Sequence, residues 1–204
     1  MGARTKSQHT EPNHLPTVGE LQAADAATLF SSDGKPTTFG VIRAAQPGRR
    51  LTLVFVRHWH CGLCAGYVST LADEPAFADE RVVIVGHGAA EGIERYREIS
   101  GARSTFEIYA DPKKVLFSAL GVTRRSLDMG EKAPRYQKGS TLAMVLSGVR
   151  ESLGSGLLAF KGGDIAQLGA EFVFNERGEA VFAHRMVNTR DHTEVPDLVQ
   201  VLRA

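Results

Sequence analysis

The segment RHWHCGLC, residues 57–64, contains both cysteines of the chain, Cys61 and Cys64. A thiol reacts as its thiolate, and a free cysteine with a pKa of ~8.5 is mostly protonated at neutral pH. A predicted helix begins at this segment, so Cys61 would lie at a helix N-terminus, where backbone N–H groups favour an anion. Cys64 would lie one turn further along the same face. The spacing therefore predicts a pair of thiols that can cycle between dithiol and disulfide.

The residues around the first cysteine can assist this chemistry. Arg57 can lower the pKa of the Cys61 thiol and bind an oxygen atom of a substrate, provided that its side chain turns inward. His58 and His60 flank Trp59, and one of the two histidines can donate a proton, although a solvated turn explains both equally well. Trp59 could line a substrate pocket or could simply pack over the start of the helix, and the pocket is favoured.

Three other uses of the cysteine pair fit the sequence less well. Two inert buried thiols would explain the spacing but not the basic neighbours. A zinc site needs four ligands, and the segment offers only two cysteines and two histidines, with no second CxxC in the chain. A c-type haem needs a histidine after the second cysteine, where this chain has Ala65. Redox chemistry is favoured, with no metal or bound organic cofactor.

The elements that must position the dithiol alternate between strand and helix. Two short apolar runs indicate strands that are buried on both faces, and amphipathic stretches between them indicate helices. Such alternation predicts a parallel sheet with right-handed crossovers. The predicted strands cover 51–56, 81–87 and 106–111; the helices cover 62–74, 90–102 and, with Asp111 as N-cap and Pro112 at the first helical position, a third stretch to Leu120.

The two ends of the chain follow a different rhythm. Residues 1–16 predict a disordered leader and 17–204 a single domain that opens with a helix running to about Phe30. Towards the C-terminus we predict a loop over 123–138, a helix over 140–153, a β-hairpin over 170–184 and a helix around Val195 to Leu202.

The composition excludes several classes of protein. The 204 residues are 43% hydrophobic and carry a net charge of +1, which indicates one globular domain and no nucleic-acid partner. No apolar stretch approaches the ~20 residues of a membrane span. The N-terminus has no apolar core of the kind found in signal peptides. We therefore expect a cytoplasmic protein, where paired cysteines are more often reactive than structural.

Three segments, in order along the chain, resemble the peroxiredoxin-like 2 family of the alkyl hydroperoxide reductase and thiol-specific antioxidant group. RHWHCGLC resembles its RxxxCxxC signature. GGDIAQLGAEFVF at 162–174 resembles its G-D-x-x-Q-x-G segment, and AHRMVNTRDH at 183–192 resembles its segment after the hairpin. The resemblance covers residues 17–204. It implies an α/β thioredoxin-like fold with a central mixed β-sheet flanked by helices, a C-terminal β-hairpin and a last helix.

The resemblance also implies a function. The CxxC dithiol would reduce a peroxide or endoperoxide of a small organic molecule, and an external thiol reductant of the thioredoxin or glutathione type would reset it. No bound cofactor is implied, and a homodimer is compatible with this role. Two other functions stay open: a thioredoxin-fold enzyme repurposed for isomerisation or cyclisation, and a non-catalytic redox sensor.

Further site residues follow from the resemblance. Gln167 and Gly169 resemble a backbone approach to substrate, although a tight turn into a strand is nearly as good an explanation. Thioredoxins have a cis-proline at this strand entry and peroxiredoxins an arginine, so the arginine that polarises a peroxide must here be Arg57 or Arg185. His184 precedes Arg185 and is included as a substrate-binding residue. For Asp191 and His192, which follow the hairpin, we expect helix capping and structural pairing.

The order of attack is the last open point. The helix dipole fades within the first turn and so favours Cys61 as the attacking thiolate. The peroxiredoxin motif PxxxTxxC, overlaid on this segment, places Cys64 at the attacking position instead. On the electrostatic argument we predict that Cys61 attacks and Cys64 resolves the product into a disulfide.

Overall fold

The two continuous apolar runs lie side by side at the centre of the sheet. In the computed structural model, which describes residues 10–131, 133–136 and 162–204, Leu51–Phe55 and Arg81–Gly86 are neighbouring parallel strands. Every residue of both strands is buried. Helices cover both faces of the sheet, which is why neither strand needs an alternating polar pattern.

The described strands form one mixed sheet. They are β1 (Thr28–Phe30), β2 (Pro36–Thr38), β3 (Leu51–Phe55), β4 (Arg81–Gly86), β5 (Glu107–Ala110), β6 (Ala170–Phe174) and β7 (Ala180–Arg185). Their order is β2-β1-β5-β4-β3-β6-β7. The β3–β4 and β4–β5 pairs are parallel and the remaining pairs antiparallel. The predicted mixed sheet, with parallel strands in the order of the βαβ units, is confirmed.

Helices pack on the two faces of this sheet. They are α1 (Val18–Asp25), α2 (Phe39–Ala44), α3 (Gly62–Asp73), α4 (Ile93–Ser100), α5 (Val115–Ala119) and α6 (Val195–Arg203), with short 3-10 turns at Pro75–Phe77 and Ala90–Gly92. One buried cluster joins α3, α4 and α6 to the face that carries both cysteines. The other cluster joins α1, α2 and α5 to the opposite face. The chemistry therefore belongs to one side of the sheet.

The N-terminal helix is shorter than predicted. It ends at Asp25, and Thr28–Phe30, predicted to be helical, form β1 and pair with β2. Leu29 is fully buried and β1 lies between β2 and β5, so strand pairing and burial outweigh the helical preference of the preceding alanines.

The helix after β5 also begins later than predicted. Asp111 does not cap a helix at Pro112; its carboxylate accepts the amides of Val115, Leu116 and Phe117 at 2.9, 2.8 and 3.2 Å. A turn separates the carboxylate from α5, and Lys114 has a positive φ of 54° there. Asp111 still satisfies the first amides of the helix, but from four residues upstream.

Part of the predicted disordered leader lies against the domain. The backbone N–H of Arg185 donates to the Pro12 carbonyl at 2.9 Å, and its guanidinium donates to the carbonyl of His14 at 2.7 Å. The Asn13 side chain contacts His184 at 3.0 Å. Residues 11–14 therefore pack against the domain, whereas the sequence predicted them to belong to a disordered leader.

The C-terminal part agrees with the sequence. Strands β6 and β7 form the predicted hairpin, with Gly178 at φ 77° in its turn. The last helix begins at Val195 with Glu194 as N-cap, so Asp191 does not cap it as expected. The predicted helix over 140–153 lies outside the described residues.

Candidate active site

The two cysteines lie where β3 leads into α3. Cys61 is the N-cap of α3, and its sulfur accepts the backbone N–H of Cys64 at 3.3 Å. Cys64 lies in the first turn, with the two Sγ atoms 2.9 Å apart and both thiols free. Cys61 keeps 4% of its surface exposed and Cys64 none, so an incoming molecule would meet Cys61 first.

Arg57 turns inward, as its predicted role requires. Its Nη1 lies 3.4 Å from Cys61 Sγ, and its Nη2 donates to the carbonyl of Ile165 at 2.7 Å. The backbone N–H of the same residue points at Cys64 Sγ at 3.4 Å. The side chain is only 6% exposed, so its charge acts on the thiols through little water.

The surroundings shift the pKa values of the two thiols in opposite directions. The hydrogen bond from Cys64 holds the pKa of Cys61 well below its usual range despite burial, and the charge of Arg57 adds to the effect. Burial raises the pKa of Cys64 well above its usual range, and the hydrogen bond to Cys61 adds to it. The site thus favours a Cys61 thiolate beside a protonated Cys64.

The two flanking histidines differ in exposure. Strand β3 ends at Phe55, and residues 57–60 form an irregular turn in which His58 is 8% exposed and His60 is half-buried. Burial lowers the pKa of His58, which favours its neutral form. Its Nδ1 has no hydrogen-bond partner among the described residues. His60 lies against Gly162.

Trp59 belongs to the core. Its Nε1 donates to the carbonyl of Ala89 at 2.9 Å, and its ring packs against Tyr96 with centroids 5.0 Å apart. Only 3% of its surface is exposed. Its described contacts lie in the segment from the end of β4 to α4, which packs the ring in the core instead of placing it in the lining of an open pocket.

The residues of the strand entry also have structural contacts. The Gln167 amide donates to the carbonyls of Val122 and Leu168 at 2.9 and 3.0 Å. A Cβ on Gly169 would collide with the Phe55 carbonyl. This favours the tight turn into β6 over an approach to substrate. It is Ile165 in the same segment that contacts the site, through Arg57.

His184 and Arg185 make their described contacts away from the thiols. Arg185 donates to the Leu120 carbonyl at 2.7 Å and lies over the Phe172 ring at 5.0 Å, on the opposite face of the sheet. His184 pairs with Asp191 at 3.3 Å. Arg185 therefore lies away from the position needed to polarise a peroxide, and of the two predicted arginines it is Arg57 that contacts a thiol.

The structure adds two residues that the sequence analysis did not place in the site. His192 Nε2 lies 3.4 Å from Cys64 Sγ, and its Nδ1 lies 2.5 Å from the Glu171 carboxylate. His192 was expected to serve only structural pairing, and Glu171 was overlooked. The available signal was a carboxylate in the apolar run of β6, which must find a partner when buried.

The described residues contain no group of three or more His, Cys, Asp or Glu side chains arranged to hold a metal ion. Within the same ranges, no helix is long and apolar enough to cross a membrane.

A CxxC dithiol at the N-terminus of the helix that follows a central strand, in a mixed sheet of this order, defines a thiol protein of the thioredoxin fold. The chain belongs to the family described as AhpC/TSA antioxidant enzyme, whose model matches residues 69–188. The matched stretch begins after Cys61 and Cys64 and ends before His192, so the dithiol site itself lies outside it.

Curated relatives and solved structures agree with this assignment. Peroxiredoxin-like 2C of Mus musculus is 29% identical over 91% of this chain and 78% of its own length. The Homo sapiens protein of the same name is 28% identical over 92% and 83%. A cysteine mutant of Xanthomonas campestris peroxiredoxin Q superposes with a TM-score of 0.57 at 16% identity, covering 93% of this chain and 95% of that one. A peroxiredoxin-like protein from Aquifex aeolicus gives 0.54 at 10% identity, covering 98% and 89%. At these identities, the structures show the fold alone.

Proposed function

We propose that this protein is a thiol peroxidase that uses its CxxC dithiol to reduce a peroxide or endoperoxide of a small organic molecule. Family membership supports the general chemistry. The observation that carries the proposal is the position of Cys61 Sγ between Arg57 Nη1 at 3.4 Å and the Cys64 backbone N–H at 3.3 Å. Two donors on one buried sulfur stabilise a thiolate at neutral pH.

The proposed reaction begins with attack by the Cys61 thiolate on one peroxide oxygen. The S–O bond forms, the O–O bond breaks, and the second oxygen leaves as an alkoxide that takes a proton to become an alcohol. A hydroperoxide oxidises Cys61 to a sulfenic acid, whereas an endoperoxide would leave it as a sulfenate ester of the opened ring. The Arg57 guanidinium, 3.4 Å from the Cys61 sulfur, would stabilise charge on the leaving oxygen.

The second half returns the dithiol. Cys64 attacks the oxidised Cys61 sulfur and a disulfide forms; the S–O bond breaks and releases water from the sulfenic acid or an alcohol from the sulfenate ester. An external thiol reductant of the thioredoxin or glutathione type then reduces the disulfide. A cytoplasmic location would suit such a cycle, since reductants of this kind keep thiols reduced there.

The test is stopped-flow mixing of the reduced protein with hydrogen peroxide, an organic hydroperoxide and a bicyclic endoperoxide in parallel. Trp59 lies two residues from Cys61 and gives the fluorescence signal. With either hydroperoxide, Cys64→Ser should stop at a sulfenic acid that dimedone traps, while Cys61→Ser should give no fast phase. Rates no better than those of a free thiol with all three oxidants would refute the proposal and favour non-redox chemistry or a sensor.

A further inference from the structure

Cys64 must lose a proton to act, and it lies where water does not reach. Its sulfur is fully buried, and burial together with Cys61 raises its pKa well above the usual range. A protonated thiol is a poor nucleophile. A group within the protein must therefore accept the proton when Cys64 attacks.

His192 is the described side chain placed to do this. Its Nε2 lies 3.4 Å from Cys64 Sγ. Its ring is stacked on Tyr67, with centroids 4.3 Å apart and planes 4° from parallel. The stacking restrains the plane of the ring and so helps to keep Nε2 close to Cys64 Sγ.

Glu171 determines which nitrogen of the ring is available. Its carboxylate lies 2.5 Å from His192 Nδ1 and accepts the backbone N–H and hydroxyl of Thr193 at 3.1 and 3.0 Å. An ionised carboxylate only accepts hydrogen bonds, so Nδ1 must carry a proton. In the neutral ring this leaves Nε2 as an acceptor facing Cys64. Both side chains are fully buried, which makes the arrangement costly unless all its partners are present.

We propose that His192 is the catalytic acid and base of Cys64, and that Glu171 is the residue that positions it; this inference rests on the proposed dithiol function. In disulfide formation, Nε2 accepts the Cys64 proton as Sγ attacks the Cys61 sulfenic sulfur. The S–S bond forms, the S–O bond breaks, and the leaving hydroxide takes up a proton to become water as His192 returns to neutral.

The same residue serves the reverse step. An external thiolate attacks the Cys61 sulfur, the S–S bond breaks, and Cys64 leaves with the electron pair. Protonated His192 donates its Nε2 proton to that leaving sulfur. The thiolate of a weakly acidic thiol is a poor leaving group, so protonation of the departing Cys64 sulfur accelerates the step. Glu171 stabilises the imidazolium at the moment when it carries the charge.

The test measures disulfide closure separately from peroxide attack. After the reduced protein meets an organic hydroperoxide, the first phase reports the sulfenic acid and the second reports the disulfide. His192→Gln should slow the second phase about 10²- to 10⁴-fold, with sulfenic acid accumulating for dimedone to trap. Glu171→Gln, which keeps a carbonyl acceptor but loses the charge, should slow it less. His14→Gln, on an exposed segment, is the matched control.

The pH profile separates a proton acceptor from a packing residue. Closure in His192→Gln should rise with pH up to about tenfold per unit, because hydroxide must then remove the proton, while the native protein depends on pH more weakly. Within the described residues, the ionisable groups around Cys64 and His192 include Cys61, Arg57, Glu171, Asp191, Tyr67, Tyr96 and Tyr136. Burial raises the pKa of each of the three tyrosines, so none of them ionises near neutral pH.

A second measurement keeps the inference testable if no peroxide reacts. The disulfide is formed with diamide, and its reduction by dithiothreitol is timed in the native protein and both variants. Slow reduction in His192→Gln supports the inference even when the peroxidase proposal fails. Closure and reduction rates equal to those of the native protein, with an unchanged pH profile, would overturn it. If His192→Gln does not fold, Glu171→Gln decides by the same criteria.

Discussion

Arg57 holds Cys61 and Ile165 with the two ends of one guanidinium group. Nη1 lies 3.4 Å from the Cys61 sulfur, and Nη2 donates to the Ile165 carbonyl at 2.7 Å. The segment that leads into β6 therefore fixes the cation that faces the thiol. A planar, permanently charged side chain suits this double contact better than lysine does.

Arg57→Gln should raise the pKa of Cys61 and slow its oxidation at neutral pH by at least about tenfold, because the charge beside the sulfur is lost. Arg57→Lys should recover part of the rate, since lysine restores the positive charge but cannot contact Cys61 and Ile165 with two separate nitrogens. Thiolate absorbance followed against pH measures the first effect, and stopped-flow oxidation the second. An unchanged Cys61 pKa in Arg57→Gln would contradict the assignment.

The Cys64 thiol should influence Cys61 through its hydrogen bond. The contact between the two sulfurs is the leading cause of the lowered pKa of Cys61. Cys64→Ala should therefore raise that pKa, whereas Cys64→Ser keeps a donor and should raise it less. Alkylation rates of the remaining cysteine, measured across pH, compare the pair directly. Equal profiles would show that the hydrogen bond is unimportant.

Arg185 should prove structural. It donates to the Leu120 and His14 carbonyls at 2.7 Å each and anchors residues 11–14. Arg185→Met leaves these carbonyls without a donor and should lower the free energy of unfolding by about 1–3 kcal/mol. Cys61 oxidation should stay close to the native rate. Urea unfolding and stopped-flow oxidation measure the two effects, and a large loss of rate in a folded variant would restore its predicted role.

The pair formed by His184 and Asp191 should make stability depend on pH. Burial opposes charge on the ring, but the Asp191 hydrogen bond and the negative charge of Glu171 raise the pKa of His184 to about 9. Its contribution is full below the unfolded value of ~6.5 and is lost as pH rises through about 9. The difference corresponds to at most about 3 kcal/mol.

Urea unfolding of the native protein at pH 6, 7.5 and 9.5 should show this decline, on the order of the value above. His184→Gln should flatten it, because glutamine does not ionise. A native profile as flat as that of the variant would show that His184 does not hold its proton in the folded state.

Gly86 should be intolerant of any side chain. A Cβ at this position would lie less than 3.0 Å from the Trp59 ring, which is buried and cannot retreat. Gly86→Ala should cost about 1–3 kcal/mol of stability. Gly19→Ala is the matched control: it lies in α1 with nothing within 4 Å and should stabilise by about 0.5–1 kcal/mol. Equal effects in urea unfolding would contradict the packing of Trp59.

Much of the fold was predictable because its signals are local. The apolar runs of β3 and β4 and the turn at Gly178 each depend on neighbouring residues, and each is confirmed. Predictions failed where distant pairing decided the outcome. Thr28–Phe30 leave the helical pattern because β2 and β5 accept them as a strand. Asp111 reaches amides beyond a turn that local propensity does not describe.

By itself, the sequence determined that two cysteines share one helical turn after a buried strand, with an arginine close by. Those features depend on one local stretch of the chain, residues 51–64. Only the tertiary structure decided which arginine faces the thiol and which histidine reaches Cys64. His192 is 128 residues from Cys64 and Glu171 is 21 from His192. Such contacts exist only once β3, β6 and α3 have packed. A buried charged group must be paired, and its partner is a residue that folding brings close, which can be far away along the chain.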